Sequence, residues 1–169
     1  MDLRPFVRDV VDYPEPGIVY KDLTPMLADA AAFHAAIDGL LRAVPDVDLV
    51  CGIDARGFIF GGAVADRLGV GFVPCRKGGK LPWEVERTAY SLEYGEAHLE
   101  MHRDAVRREG ERILVVDDVL ATGGTASATR DLIASLGGVV VAFRFIVELG
   151  FLNGRDRLGA ADVESLVAF

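Results

Sequence analysis

One stretch, residues 112–129 (Arg-Ile-Leu-Val-Val-Asp-Asp-Val-Leu-Ala-Thr-Gly-Gly-Thr-Ala-Ser-Ala-Thr), constrains the fold of this chain more than any other. Residues 113–116 are an unbroken apolar, mostly β-branched run, the pattern of a strand buried on both faces of a parallel sheet. Two carboxylates, Asp117 and Asp118, stand where that strand is expected to end. A loop of small residues follows, Ala121, Thr122, Gly123, Gly124 and Thr125. Beyond it Thr129, Leu132, Ile133 and Leu136 recur at helical spacing, and Gly137 is a helix stop. Glycines let a backbone approach an anion closely, and the free N–H groups of the first helical turn point at it. Acids beside such a site repel the ligand unless they bind its hydroxyls or a neutralising metal ion. A phosphate with a vicinal diol describes a ribose 5-phosphate. The plainer alternative is a βα turn whose acids cap local N–H groups, but two acids and two threonines around Gly-Gly favour the ligand.

The rest of the chain supplies a sheet for this stretch to join. Apolar runs at 47–53, 71–75 and 139–149 read as further buried strands. Helical patterns flank the first of these strands: one before it, from an Asp29 N-cap through Phe33, Ile37, Leu40, Leu41 and Val44 to Pro45, another after it over about 57–68. This alternation predicts an α/β fold with a parallel sheet. In such sheets ligands bind beyond the strands' carboxyl ends, so Asp54, Arg76, Asp117 and the 121–125 loop are expected to share one rim. Elsewhere we expect a short helix over 3–10, an irregular extended arm over 18–27, a hairpin from 89–93 and 97–101, and a final strand over 163–169. The spacing of Gly52 and Gly57 suits a nucleotide P-loop, but Phe58 stands where that loop needs lysine. Read alone, Arg56 is a surface residue, and Arg76-Lys77-Gly78-Gly79-Lys80 is a solvated, mobile loop. His98 and His102, four apart on a strand, sit too far from each other to share one metal ion.

Composition narrows the class. With 169 residues, 51% of them hydrophobic, the chain suits one domain over 1–169 with a substantial core. A net charge of −8 argues against nucleic-acid binding, though not against a small anion focused by a local basic cluster. Cys51 and Cys75 lie in apolar runs and read as reduced core residues, pointing to the cytoplasm. The first residues lead into no signal-like apolar segment, and no apolar stretch approaches the roughly 18 residues of a membrane span.

Residues 115–125, Val-Val-Asp-Asp-Val-Leu-Ala-Thr-Gly-Gly-Thr, resemble the phosphoribosyl pyrophosphate signature of the type I phosphoribosyltransferases, and specifically of the branch that acts on adenine. The resemblance extends over nearly the whole chain, through residues 12–22, 54–58, 76–82 and 91–95. It implies the type I phosphoribosyltransferase fold, a parallel sheet flanked by helices with a small N-terminal hood (about 1–27) and a flexible lid and hairpin (about 78–100). It implies transfer of the 5-phosphoribosyl group to N9 of adenine, giving AMP and pyrophosphate, with Mg²⁺ as cofactor and a homodimer as the assembly. Asp117, Asp118 and the loop from Ala121 to Thr125 would hold the ribose 5-phosphate, the two acids meeting the metal through water and ribose. Arg56, Arg76, Lys77 and Lys80 would hold the pyrophosphate. The backbone at Val19 and Lys21 would read the adenine edge, and Glu93 would act on the base as general acid or base. Lys21 departs from the arginine usual at its position.

Two rivals differ in kind. One is an enzyme for another base, such as hypoxanthine, guanine or orotate. By the same resemblance, enzymes for 6-oxopurines carry an acid where this chain has Ala121, which favours adenine. The other is a non-catalytic regulator that senses the nucleotide on the same fold. Such a regulator needs a nucleic-acid surface, for which this acidic chain has no spare segment.

Overall fold

The computed structural model describes residues 1–92 and 95–169, and side chains for residues 1–89 and 98–169. Nine strands and four α-helices follow one another along the described chain: β1 (Arg8–Val11), β2 (Val19–Asp22), α1 (Thr24–Ala28), α2 (Ala30–Leu40), β3 (Leu49–Ile53), α3 (Gly57–Leu68), β4 (Gly71–Lys77), β5 (Val85–Leu92), β6 (Gly95–His102), β7 (Arg112–Leu120), α4 (Gly124–Ser135), β8 (Val139–Glu148) and β9 (Val163–Ala168). Seven of the strands form one sheet in the order β5-β6-β4-β3-β7-β8-β9. From β4 to β9 every pairing is parallel, while β6 joins β4, and β5 joins β6, antiparallel. The parallel part is therefore a doubly wound sheet of order 2-1-3-4-5, whose switch point lies between β3 and β7.

The apolar runs explain the layers. All five residues of β3 are buried, and alternate side chains leave opposite faces. Val50, Leu114 and Val116 pack with Ile37, Leu40, Phe60 and Val64 from α2 and α3. Cys51, Ile53, Ile113 and Val115 pack with Leu132 and Ile133 of α4 and with Leu99 and Met101 of the hairpin. Each fully buried side chain of this size contributes about 1.5–3 kcal/mol. The two cysteines are buried free thiols, as expected. Among the described residues, no helix is long and apolar enough to cross a membrane.

Asp29 caps α2 as expected, its carboxylate accepting from Ala32 N at 2.8 Å. Other expectations need correction. Residues 3–10 are not a helix: one 3₁₀ turn (Arg4–Phe6) leads into β1. The arm over 18–27 is not irregular either, because β2 pairs antiparallel with β1, from Arg8 opposite Asp22 to Val11 opposite Val19, and α1 follows. Strand β4 runs two residues further than expected and takes in Arg76 and Lys77, and the hairpin strands are longer than expected. Strand β7 does not end at the acids. Asp117, Val119 and Leu120 stay paired with β8, whereas β3 is last paired at Gly52–Val116.

A polar group is sealed into the sheet as well. Arg144 on β8 has no exposed surface. Its guanidinium donates to Phe143 O (2.9 Å), to Ala43 O beyond α2 (3.2 Å) and to Asp162 Oδ2 before β9 (2.9 Å).

Candidate active site

The site opens where β3 and β7 part. A cavity of about 700 Å³ is lined by Tyr20, Asp54, Arg56, Lys77, Gly78, His98, Asp117, Asp118 and Thr125, among others. A smaller cavity beside it is formed by the loop Ala121, Thr122, Gly123, Gly124 and Thr125, and it shares Asp117 and Thr125 with the first. The expectation that strand-end residues gather on one rim thus holds for Asp54, Asp117 and the loop, while Arg76 lines neither cavity and reaches the rim only through Asp54.

The loop is shaped for close approach. Gly123 has φ +77°, and a Cβ on it would collide with the carbonyl oxygen of Gly154. The N-cap of α4 is Gly123, which has no side chain to cap it, and this leaves the N–H groups of its first turn to point into the small cavity. Arg157 leans over this end, its guanidinium 3.4 Å from where a Cβ on Gly124 would lie. Sequence reading did not single out Arg157, because its nearness comes from a turn some thirty residues away.

As neighbours in a strand, the two acids turn to opposite faces. Asp117 faces the loop cavity, and its carboxylate accepts from Asp118 N at 2.9 Å. Burial, with the charge of Asp118 next, holds its pKa well above the usual carboxylate range. Asp118 is 6% exposed and lies 2.5 Å from Arg56 Nε at the start of α3. That contact is too poorly aligned for a hydrogen bond, so among the described residues Asp118 Oδ2 has a charge partner and no donor. The helix start comes this near because residue 57 is glycine: a Cβ there would sit 2.8 Å from Asp117 Oδ1.

Arg56 also stacks over Tyr20, 5.0 Å from the ring centroid. Tyr20 is a second residue the sequence reading missed. Alternation along β2 turns its ring toward the cavity, while Val19 and Lys21, the two residues expected to meet a base, turn their side chains elsewhere. Lys21 Nζ bonds Asp9 at 2.7 Å and lies 3.8 Å from the Phe169 ring centroid. Only the backbone of β2 at these positions is left for a ligand.

The basic segment is no free solvated loop. Arg76 Nε and Lys80 Nζ lie 3.3 and 3.1 Å from the same oxygen of Asp54. Burial pushes the Asp54 carboxyl up, but Lys80 and Arg76 outweigh it and bring it below its usual value. Gly79 N donates to the buried Glu100 at 2.8 Å, and Arg87 pairs with the same carboxylate at 2.8 Å. The hairpin therefore docks on the cation-bearing end of β4, with Arg76 opposite Glu100 and Lys77 opposite Leu99. Lys77 lines the cavity with no carboxylate partner among the described residues.

His98 lines the cavity, whereas His102 packs against Trp83, ring centroids 6.2 Å apart. No group of three or more His, Cys, Asp or Glu side chains among the described residues is placed to hold a metal. Glu93 lies outside the described residues.

The chain belongs to the phosphoribosyltransferase family, whose domain model matches residues 22–150. Its relatives are more particular. It is 50% identical to the adenine phosphoribosyltransferase of Thermosipho africanus over 169 residues, 99% of each chain. The crystal structure of adenine phosphoribosyltransferase from Thermoanaerobacter pseudethanolicus superposes with a TM-score of 0.94 at 48% identity, covering 99% of this chain and 98% of that one. The Saccharomyces cerevisiae enzyme, complexed with an imino-altritol bisphosphate and adenine, superposes with a TM-score of 0.90 at 36% identity, covering 97% and 96%.

Proposed function

We infer that this chain transfers the 5-phosphoribosyl group of phosphoribosyl pyrophosphate to N9 of adenine, yielding AMP and pyrophosphate in purine salvage. The observation that carries the reading is the pair of joined cavities. One is a backbone cradle sized for a phosphate; the other is lined by carboxylates and cations and walled by an aromatic ring. Kinship with adenine phosphoribosyltransferases supports the choice of base.

In this reading the 5-phosphate sits on the free N–H groups of the 121–125 loop with the hydroxyls of Thr122 and Thr125. Asp117 and Asp118 accept hydrogen bonds from the ribose hydroxyls. Pyrophosphate lies toward Arg56, Arg76, Lys77 and Lys80, which stabilise the charge it gains on leaving. Tyr20 offers its ring to the base, and the backbone at Val19 and Lys21 offers an N–H and a C=O to its edge. Glu93 exchanges a proton with the base; this role rests on the resemblance alone. The segment from Gly78 into the hairpin covers the site and excludes water.

Two adjacent acids, one of them already paired with Arg56, make a poor cage for a metal. They fit a magnesium ion that keeps several waters and substrate oxygens, with Asp117 and Asp118 reaching it through water. When bound, Mg²⁺ neutralises charge on the departing pyrophosphate. A homodimer is proposed by kinship and fits the exposed apolar side chains of Val11, Tyr13 and Ile18 along the arm. A cytoplasmic location fits the reduced cysteines.

The test is an assay with phosphoribosyl pyrophosphate, Mg²⁺ and a panel of bases. Adenine is expected to be preferred by a wide margin, and equal turnover with hypoxanthine would overturn the assignment.

A further inference from the structure

Two of the protein's own carboxylates already occupy three of the four cations assigned to the leaving group. Arg56 is engaged by Asp118, while Arg76 and Lys80 are both engaged by Asp54. The second arrangement is the more constrained. Asp54 stands at the end of β3, its backbone N–H held by Cys75 O at 2.9 Å, and its side chain is 3% exposed. One oxygen, Oδ2, takes both cations. Arg76 closes the ring by donating to the Lys80 carbonyl at 3.1 Å.

The cations differ from the acid in kind. Their side chains are 31% and 46% exposed, and Lys80 follows Gly78 and Gly79, the latter at φ +78°. A fixed, buried anion thus faces two cations that reach solvent from a pliable segment. A pyrophosphate arriving at Arg76 and Lys80 meets nitrogens already neutralised by a carboxylate that solvent screens poorly.

We propose that Asp54 is a built-in counter-ion: it occupies Arg76 and Lys80 in the empty site and competes with pyrophosphate for them, so that the leaving group is held loosely enough to depart. The proposal deepens the functional reading above and rests on its assignment of Arg76 and Lys80 to pyrophosphate. Asp54 acts through the two cations and is a positioning residue. An acid that merely buttressed the loop would have the opposite signature, since its neutralisation would loosen the cations and weaken pyrophosphate.

The experiment measures binding of magnesium pyrophosphate by calorimetry, with product inhibition in the assay. In Asp54→Asn the dissociation constant is expected to fall about tenfold, the scale of one removed charge at short range in a partly screened site. The KM for adenine should stay at its parental value. Asp54→Glu, which restores the charge, should return the pyrophosphate constant toward the parent's. In a double-mutant cycle, most of the gain from Asp54→Asn should vanish when Lys80→Met is also present.

Unchanged or weaker pyrophosphate binding in Asp54→Asn overturns the proposal, provided Lys80→Met alone weakens it. If Lys80→Met has no effect, the pyrophosphate assignment falls and the proposal falls with it. Asp54→Ser repeats the test should Asp54→Asn not fold, and failure of both to fold makes the carboxylate a structural element and also overturns the proposal.

Discussion

Asp117 is half-buried beneath the two cavities, with a second carboxylate beside it. Its pKa is raised, so the folded state favours the protonated form. The fold therefore loses stability as pH rises from the ordinary carboxylate value through the raised one. Asp117→Asn carries no such penalty and keeps an oxygen for Asp118 N. We expect its melting temperature at pH 7.5 to be no lower than the parent's, while turnover with phosphoribosyl pyrophosphate falls about 10²-fold, the scale of a lost transition-state contact. Paired thermal melts and rates check this, and a large drop in melting temperature would make Asp117 a structural residue.

Single residues also mark how far the sequence was legible. Asp117, Asp118 and the glycine loop could be read because chemistry and position lie in one continuous stretch. Asp54 could be placed on the rim, yet its hold on Arg76 and Lys80 could not be foreseen, since it depends on β4 lying beside β3. Lys21 was legible as a departure from the family pattern. The pairing that draws its side chain to Asp9 and Phe169 joins residues far apart in sequence and has no periodic trace.

Among the elements, long apolar strands and amphipathic helices were readable, while pairing between short polar strands was not. Strands β1 and β2 are four residues each, half of them charged (Arg8 and Asp9, Lys21 and Asp22), and become a ribbon only through their mutual register. Two acids fasten such joints. Asp22, at the end of β2, is held down to about 2 by the N–H of Thr24 and then by Arg8. Asp48, ahead of β3, is held to about 2 by the side chain and then the backbone N–H of Arg112. Both pKa values are depressed in the fold, so their stabilisation is present above about pH 4 and is lost as pH falls toward 2. In circular dichroism melts, a double Asp22→Asn, Asp48→Asn variant should melt below the parent at neutral pH, and the gap should narrow between pH 4 and 2. A gap independent of pH would mean that charge plays no part at either joint.

The segment leading into the hairpin has its own reporter. Trp83 is 54% exposed and touches His102 with one edge. If this segment closes over bound substrate, the indole loses water, and its emission should shift to the blue when Mg²⁺ and phosphoribosyl pyrophosphate are added. An unchanged spectrum at saturation would mean that the cover moves without Trp83 or does not move.

For the whole molecule, the sheet order put the site at its switch point, and only the gathering of strand ends on one rim was foreseeable from sequence. The antiparallel hairpin beside β4 was not, because no local signal says which edge a hairpin joins. Arg144 is the other feature that belongs to the molecule as a whole, since two of its three partners, Ala43 and Asp162, come from other segments of the chain. Asp162→Ala leaves a buried guanidinium without its anion and should cost roughly 1–3 kcal/mol in denaturant unfolding, with catalytic constants unchanged in the folded fraction. A loss within error of zero would mean that the carbonyls of Ala43 and Phe143 suffice.

The same contact bears on how the chain is made. A chain emerging from the ribosome presents Arg144 well before Asp162, and until residue 162 follows, the guanidinium can be covered only with its charge unmatched. The β8 layer therefore has reason to stay open until residue 162 has been made, and closure of the sheet waits for that residue.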